Sequence, residues 1–181
     1  VRGEHFITAG QRGTLGVSPD GKTWKRIELD TWSDIWTVNH AGGLYFAAGE
    51  AGFLASSPDA VQWTIHRLPT FSPITSVAWG KGRYMALSMD GHLMTSRDVR
   101  TWTLTQRGSV QMELAFGNGR FVVIGPGDSM TLDGITFERG PAIGGRAFSQ
   151  LLYGDGLFIA VDSGGIRSSI DGLNWTSHAS P

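Results

Sequence analysis

Apolar and polar residues alternate along this chain in runs of four to seven, each run ended by glycine or aspartate. The pattern is clearest between residues 74 and 105. Alternation over 74–79 predicts a strand, Gly80-Lys81-Gly82 a turn, and 83–88 a second strand that breaks at Asp90-Gly91. A third strand is expected over 92–96, a turn from 98 to 101, and a fourth strand over 102–105. Period-two alternation, aromatic enrichment and turn residues at every break all point to strands, and nowhere does a helical period persist for three turns. The script repeats. Glycine-rich first turns recur at Gly42-Gly43, Gly117-Asn118-Gly119 and Gly154-Asp155-Gly156, and an aromatic residue opens the second strand at Phe6, Tyr45, Tyr84, Phe121 and Phe158.

Each unit carries a seven-residue signature between its third and fourth strands. The copies are Ser18-Pro19-Asp20-Gly21-Lys22-Thr23-Trp24, Ser57-Pro58-Asp59-Ala60-Val61-Gln62-Trp63, Ser96-Arg97-Asp98-Val99-Arg100-Thr101-Trp102, Thr131-Leu132-Asp133-Gly134-Ile135-Thr136-Phe137 and Ser169-Ile170-Asp171-Gly172-Leu173-Asn174-Trp175. Successive aspartates stand 39, 39, 35 and 38 residues apart. Four short antiparallel strands in a unit of that length is the sequence image of a β-propeller blade. The expected fold is therefore all-β, a propeller of about five four-stranded antiparallel blades in one domain. The units span approximately 1–30, 31–69, 70–106, 107–142 and 143–181. The first unit opens inside its second strand, and no apolar run after Trp175 can supply an innermost one. The first blade is thus expected to be incomplete. The chain would then be a piece of a larger propeller, or would close with help from another copy, since open sheet edges invite pairing.

The signature resembles the Asp-box, also called the bacterial neuraminidase repeat (BNR), and the resemblance covers nearly the whole chain. Departures are small: Ala60 and Val99 replace the usual glycine, Thr131 the serine and Phe137 the tryptophan. The resemblance implies that each box forms a hairpin in which Asp20, Asp59, Asp98, Asp133 and Asp171 fold back onto backbone N–H groups of their own turn. It implies positive φ at Gly21, Gly134 and Gly172. Trp24, Trp63, Trp102, Phe137 and Trp175 would wedge against a neighbouring sheet. These aspartates are read as turn structure rather than as catalytic or calcium-binding groups, because every copy lies at a repeat boundary.

Composition narrows the chemistry. Formal net charge is −1, which argues against a sequence-independent grip on nucleic acid. There is no cysteine, so disulfides and thiolate metal sites are excluded; this suits a secreted or extracytoplasmic bacterial protein. No apolar run is long enough for a membrane span, and no cleavable signal segment opens the chain. The five histidines are scattered without metal-ligand spacing, so neither a metal nor a cofactor is expected.

Asp-box propellers include sialidases, some glucan hydrolases, photosystem assembly factors and sorting-receptor ectodomains. A sialidase would carry an Arg-Ile-Pro segment and a tyrosine nucleophile. No Arg-Ile-Pro occurs here, and Tyr45, Tyr84 and Tyr153 all fall at repeated packing positions. A glycosidase needs two carboxylates facing one cleft. Asp34, Glu50, Asp90, Asp128 and Asp162 stand in loops, and no catalytic set is assigned among them.

Ligand contacts are expected in the loops between units. Thr31-Trp32-Ser33-Asp34-Ile35-Trp36 aligns with Thr70-Phe71-Ser72-Pro73-Ile74, whereas the later counterparts, Arg107-Gly108-Ser109 and Gly144-Gly145-Arg146, lack the aromatic. Trp32 and Phe71 read either as platforms for sugar rings or partner side chains, or as core filling between blades, the commoner role of large aromatics at repeat junctions. The candidate ligand-binding set is Trp32, Asp34, Trp36, Phe71, Arg107 and Arg146. The function expected is a non-enzymatic scaffold that recognises a protein or glycan through its inter-blade loops. The alternatives are a partial or accessory propeller of a secreted glycoside hydrolase, and a structural fragment completed by homo-oligomerisation.

Overall fold

A computed structural model describes residues 5–106, 113–125, 128–132, 137–139, 148–162 and 165–178. They form five antiparallel sheets in chain order. The first has three strands, β1 (Phe6–Ala9), β2 (Leu15–Ser18) and β3 (Lys25–Ile27). The second contains β4 (Ile35–Ala41), β5 (Leu44–Gly49), β6 (Leu54–Ser57) and β7 (Thr64–His66). The third contains β8 (Ile74–Gly80), β9 (Arg83–Ser88), β10 (Leu93–Ser96) and β11 (Thr103–Gln106). The fourth holds β12 (Glu113–Gly117), β13 (Arg120–Gly125), β14 (Asp128–Leu132) and β15 (Phe137–Arg139). The fifth holds β16 (Phe148–Gly154), β17 (Leu157–Asp162), β18 (Gly165–Ser169) and β19 (Thr176–His178). Every sheet is a meander whose neighbours in sequence are neighbours in space. Among the described residues the one helical element is a 3-10 turn, Glu50–Gly52.

The sheets stack face to face, and their first strands converge: β4 packs on β8, β8 on β12 and β12 on β16. This is the all-β propeller, with a first blade of three strands. Alternation fixes which residues meet at each junction, because successive side chains of a strand point to opposite faces. Phe46, Ala48 and Leu54 on the far face of the second sheet meet Ile74, Val77, Tyr84 and Ala86 of the third. Met85, Leu87 and Leu93 of the third meet Leu114, Phe121 and Val123 of the fourth. Val122 and Ile124 of the fourth meet Leu151, Phe158 and Ala160 of the fifth. Leu15, Val17 and Ile27 of the first meet Tyr45, Ala47 and Ala55 of the second. The core is therefore four apolar layers between sheets rather than one central mass. Polar bridges tie the inner strands across two of them. Asn39 Nδ2 donates to the Val77 carbonyl, and Ser76 Oγ donates to the Leu114 carbonyl at 3.1 Å.

Two features of the inner rim are set by size. A Cβ on Gly80 would lie 2.2 Å from the Phe116 ring, and one on Gly117 would lie 2.1 Å from the Tyr153 ring. Each glycine ends an inner strand and leaves room for an aromatic side chain of the next sheet. Gly154 ends the inner strand of the fifth sheet and has nothing within 4 Å of its Cβ position.

The signature turns are closed by their own side chains. In the first, Asp20 Oδ1 accepts from the Lys22 N–H at 2.8 Å, the Thr23 N–H at 2.7 Å and the Ser18 hydroxyl at 3.0 Å. Asp59, Asp98 and Asp171 repeat the pattern with Val61 and Gln62, Arg100 and Thr101, and Leu173 and Asn174. The indole N–H of Trp24, Trp63, Trp102 and Trp175 donates to the carbonyl of the residue three earlier, at 2.7 to 3.2 Å. That carbonyl belongs to a residue in the left-handed region, Gly21 and Gly172 at φ 74°, Ala60 at 62° and Val99 at 67°. Ala60 and Val99 hold this conformation without glycine's freedom, at a cost of roughly 1–2 kcal/mol each, and both are buried in the junction layers. Asp133 lies outside the described residues, and for Phe137 only the backbone, at the start of β15, is described.

The glycine rim predicts that Gly117→Ala lowers unfolding stability by about 1–3 kcal/mol through overpacking, while Gly154→Ala is near neutral. Paired denaturant titrations would show the asymmetry. The turns predict acid sensitivity. Burial opposes ionisation of Asp171, but the Asn174 backbone and side-chain amides, the Leu173 N–H and the Ser169 hydroxyl outweigh it and hold the carboxyl below its ordinary 3.8. N–H donors likewise depress Asp20, Asp59 and Asp98. A carboxyl whose folded pKa is depressed contributes stability above its unfolded value and loses it as pH falls through the folded one. The thermal midpoint should therefore fall as pH drops from the usual carboxylate range downward. Asp171→Asn should melt lower than wild type at neutral pH and show a shallower acid slope.

Candidate functional site

Antiparallel meanders send their turns to opposite rims. The signature turns and the first-to-second-strand turns share one rim, and the second-to-third-strand loops and the sheet-to-sheet connections share the other. On the first rim the described signature aspartates, Asp20, Asp59, Asp98 and Asp171, are bonded into their own turns. The second rim carries the connections between sheets.

Thr31-Trp32-Ser33 connects β3 to β4, and Thr70-Phe71-Ser72 connects β7 to β8. Both close in the same way: the Ser33 N–H donates to Thr31 Oγ1 at 3.1 Å, and the Ser72 N–H donates to Thr70 Oγ1 at 3.0 Å. Such hydroxyl turns form because a threonine oxygen two residues back can stand in for a backbone carbonyl. Neighbouring loops then clamp each connection. Around the first, the Gly13 N–H donates to the Ser33 carbonyl at 2.9 Å and the Ile35 N–H to the Gly10 carbonyl at 3.0 Å. The Arg12 N–H donates to Asp34 Oδ1 at 2.8 Å, and the Glu50 N–H to the Asp34 carbonyl at 3.0 Å. Around the second, the Met89 N–H donates to the Pro73 carbonyl at 2.8 Å and the Asp90 N–H to Ser72 Oγ at 3.3 Å.

Between these clamped residues the aromatic side chains stand in solvent. Trp32 is 85% exposed and Phe71 91%. Neither ring fills a junction between sheets; that role belongs to Tyr45, Tyr84, Phe121 and Phe158. Trp36 reaches solvent by another device. In the pairing of β4 with β5, Ile35 faces Gly49 and Thr37 faces Ala48, so Trp36 is the extra residue of a bulge. A bulge re-aims one side chain out of the alternation, and the Trp36 indole is 46% exposed on an inner strand. The same bulge recurs in β8 and β16, where Thr75 and Ser149 occupy the extra position. Met89, also exposed, adjoins the Phe71 connection through its N–H bond to Pro73.

Two acidic side chains of this rim, Asp34 and Glu50, hold backbone. Asp34 accepts from Arg12, and Glu50 Oε2 accepts from the Asp34 N–H at 3.4 Å. Ser88, Asp90 and His92 lie together, but in an order unsuited to nucleophilic catalysis. Asp90 accepts from the Ser88 hydroxyl at 2.6 Å and lies 2.9 Å from His92 Nδ1, so the carboxylate rather than the imidazole is central. Burial raises the Asp90 pKa, and the Ser88 hydroxyl and His92 together outweigh it, keeping the carboxyl below its ordinary value. Among the described residues, no three His, Asp or Glu side chains are grouped to hold a metal ion. No helix among them is long and apolar enough to cross a membrane. Arg107 and Arg146 lie outside the described residues.

One titratable residue was not singled out from sequence. Glu113 opens β12 at the position held by Thr37 in β4 and Ser76 in β8, by register with Ile124, Ala48 and Leu87. Burial pushes its pKa up to about 7. The signal available in sequence was a carboxylate at a position held by small hydroxyl residues in β4 and β8 and by Gln150 in β16.

No protein-family model matches the chain, and no curated protein sequence matches it. Solved structures do. The structure described as YCF48 bound to D1 peptide is 18% identical over 96% of this chain, with a TM-score of 0.70. YCF48 from Cyanidioschyzon merolae is 17% identical over 97% of this chain, at a TM-score of 0.66. The WD40 β-propeller domain of Doa1 is 12% identical over 95% of it, at 0.70. The chain spans 64%, 69% and 63% of the lengths of those three chains. At such identities the likeness is one of fold, and the fold is the β-propeller.

Proposed function

We propose that this protein is a non-enzymatic, Asp-box-type propeller that binds an extended protein segment on its loop rim, with Trp32 and Phe71 as anchors. The observation that carries this reading is the pair of identical Thr-aromatic-Ser turns, each clamped by neighbouring backbone and each presenting an exposed ring. A single exposed aromatic is unremarkable on a protein surface. Two at the same position of successive connections, held by hydrogen bonds, form a pre-organised apolar pair, and pre-organisation lowers the ordering cost of binding. Large aromatic side chains are also the residues on which interface energy concentrates. Trp36 adds a third ring at the bulge, and Asp34 fixes the loop rather than the ligand. Arg107 and Arg146, on the equivalent later connections in sequence, would contribute cationic contacts to the same rim.

The YCF48 likeness supports a peptide as the class of ligand, since that propeller is seen with a D1 peptide bound. The engagement of Asp34, Glu50 and Asp90 in turn hydrogen bonds favours binding over hydrolysis. Stacking on sugar rings is the competing use of exposed aromatics.

Selection of a displayed random-peptide library on the wild-type chain, with a glycan array run in parallel, tests the reading. Selected peptides should bind wild type and lose affinity by roughly tenfold or more on Trp32→Ala or Phe71→Ala, as at interface hot spots. Folding of both variants should be unchanged by circular dichroism. Glycan binding that is lost in the same variants, without peptide binding, would move the reading to carbohydrate. Peptide affinities indifferent to both substitutions would remove the rim as the site.

A further inference from the structure

The two anchor rings share a turn but not a charge environment. The connection into the second sheet, residues 28–34, carries Glu28, Asp30 and Asp34 and no basic residue. The connections over 67–73, 107–112 and 140–147 each carry one arginine, Arg67, Arg107 and Arg146, and no acidic residue. The loops that follow sharpen the contrast. Glu50 adds a further acid after the first connection, whereas Asp90, Asp128 and Asp162 each follow a connection that brings an arginine. Charge on this rim is therefore unbalanced at Trp32 and matched, acid for base, beyond it.

Local bonding leaves that imbalance in place. Arg26 Nε lies 3.0 Å from Glu28 Oε1, so this pair cancels. Asp30 is exposed, and its carboxylate has no partner among the described residues. Asp34 Oδ1 accepts from the Arg12 N–H at 2.8 Å, and Glu50 Oε2 from the Asp34 N–H at 3.4 Å. Both donors are neutral backbone groups and bring no positive charge. The Arg12 side chain is exposed and forms no ion pair among the described residues. Three carboxylates thus accompany Trp32 against one guanidinium. At Phe71, by contrast, Asp90 lies 2.9 Å from His92 Nδ1, and Arg67 is exposed on the connection itself.

We propose that the segment bound on this rim carries a basic side chain at the Trp32 end, held by the indole and the Asp30 and Glu50 carboxylates, and an apolar one at Phe71. The proposal rests on the peptide-binding reading and names the chemistry of its ligand. Its warrant is charge complementarity. An ammonium or guanidinium is attracted to an indole face more strongly than to other aromatic rings, and Trp32, 85% exposed, offers that face to solvent. Carboxylates within about 8 Å act on the same cation at physiological ionic strength. Ring and carboxylates therefore select one kind of group. Phe71, 91% exposed and adjoined by Met89, offers an apolar surface instead. Asp34 holds the loop through its N–H bond and adds to the field without touching the ligand. The arginines of the later connections repel a basic side chain, so the charge pattern sets the direction of the segment as well as its composition.

Selection from three displayed random-peptide pools of equal length provides the test: one without Asp and Glu, one without Lys and Arg, and one without any of the four. Binders to the wild-type chain should come from the pool that retains Lys and Arg, be enriched in those residues, and weaken as salt is raised. Asp30→Asn combined with Glu50→Gln should lower their affinity by about tenfold, and reselection on that variant should lose the basic enrichment. Reselection on Phe71→Ala should keep it. Asp30→Lys, at an exposed position that bonds no loop, serves as the second variant, and circular dichroism checks that each chain folds. Binders drawn from the base-free pools that still require Trp32 and Phe71 overturn this proposal and leave the peptide reading standing. Basic binders indifferent to both Asp30 variants overturn it as well. Absence of binders from every pool removes the peptide reading and this proposal with it.

Discussion

The burial of one sheet's aromatics on the apolar side chains of the preceding sheet is the interaction on which the molecule depends. No sheet here has a core of its own; a four-stranded meander has two faces, and each becomes an interior only when a neighbour covers it. Fully burying a side chain such as Phe121 against Met85 and Leu87 is worth about 1.5–3 kcal/mol relative to leaving it in water. Each junction contains several such groups. Stability in such an array accrues junction by junction, in the manner of nearest-neighbour coupling between repeats.

The signature turn links that packing to local chemistry. Its aspartate satisfies two backbone donors, its serine hydroxyl bonds the aspartate, and its tryptophan donates to a carbonyl of the same turn. Bonds within the turn thereby fix the indole of Trp63, Trp102 and Trp175 toward the preceding sheet. Trp102 shows the result, hydrogen-bonded within its turn and buried in the layer it shares with Phe46 and Leu54. Val99 shows how strongly the turn is specified: a β-branched residue accepts a left-handed backbone there because the carboxylate bonds and the junction layer both require it.

Much of this was legible in sequence because it is periodic. Strand alternation, the spacing of the aspartates and the second-strand aromatics are each repeated, and repetition lets one unit be read from another. Three classes of feature were not legible, for distinct reasons. The bulge that turns Trp36 outward adds one residue to a strand, and alternation alone cannot say which residue is the extra one. The close approach of Phe116 to Gly80 and of Tyr153 to Gly117 pairs residues from different units, so neither glycine reveals its partner locally. The exposure of Trp32 and Phe71 depends on where the connections run. An aromatic at a repeat junction fills a core in one geometry and faces water in another, and the Thr–Ser hydroxyl turn that decides between them is common in loops of both kinds.

The two rims divide the work. Where the signature turns lie, Asp20, Asp59, Asp98 and Asp171 are bonded to the backbone of their own turns. At the opposite rim, backbone bonds such as Gly13 to Ser33 and Met89 to Pro73 hold the two described connections to the rigid sheet ends. A side chain between such clamps is positioned by the fold rather than by its own contacts, which is what an anchor residue needs. The carboxylates of Asp34, Glu50 and Asp90 take part in the same clamping, accepting from N–H and O–H donors. Part of the rigidity of this rim is thus supplied by its acidic side chains.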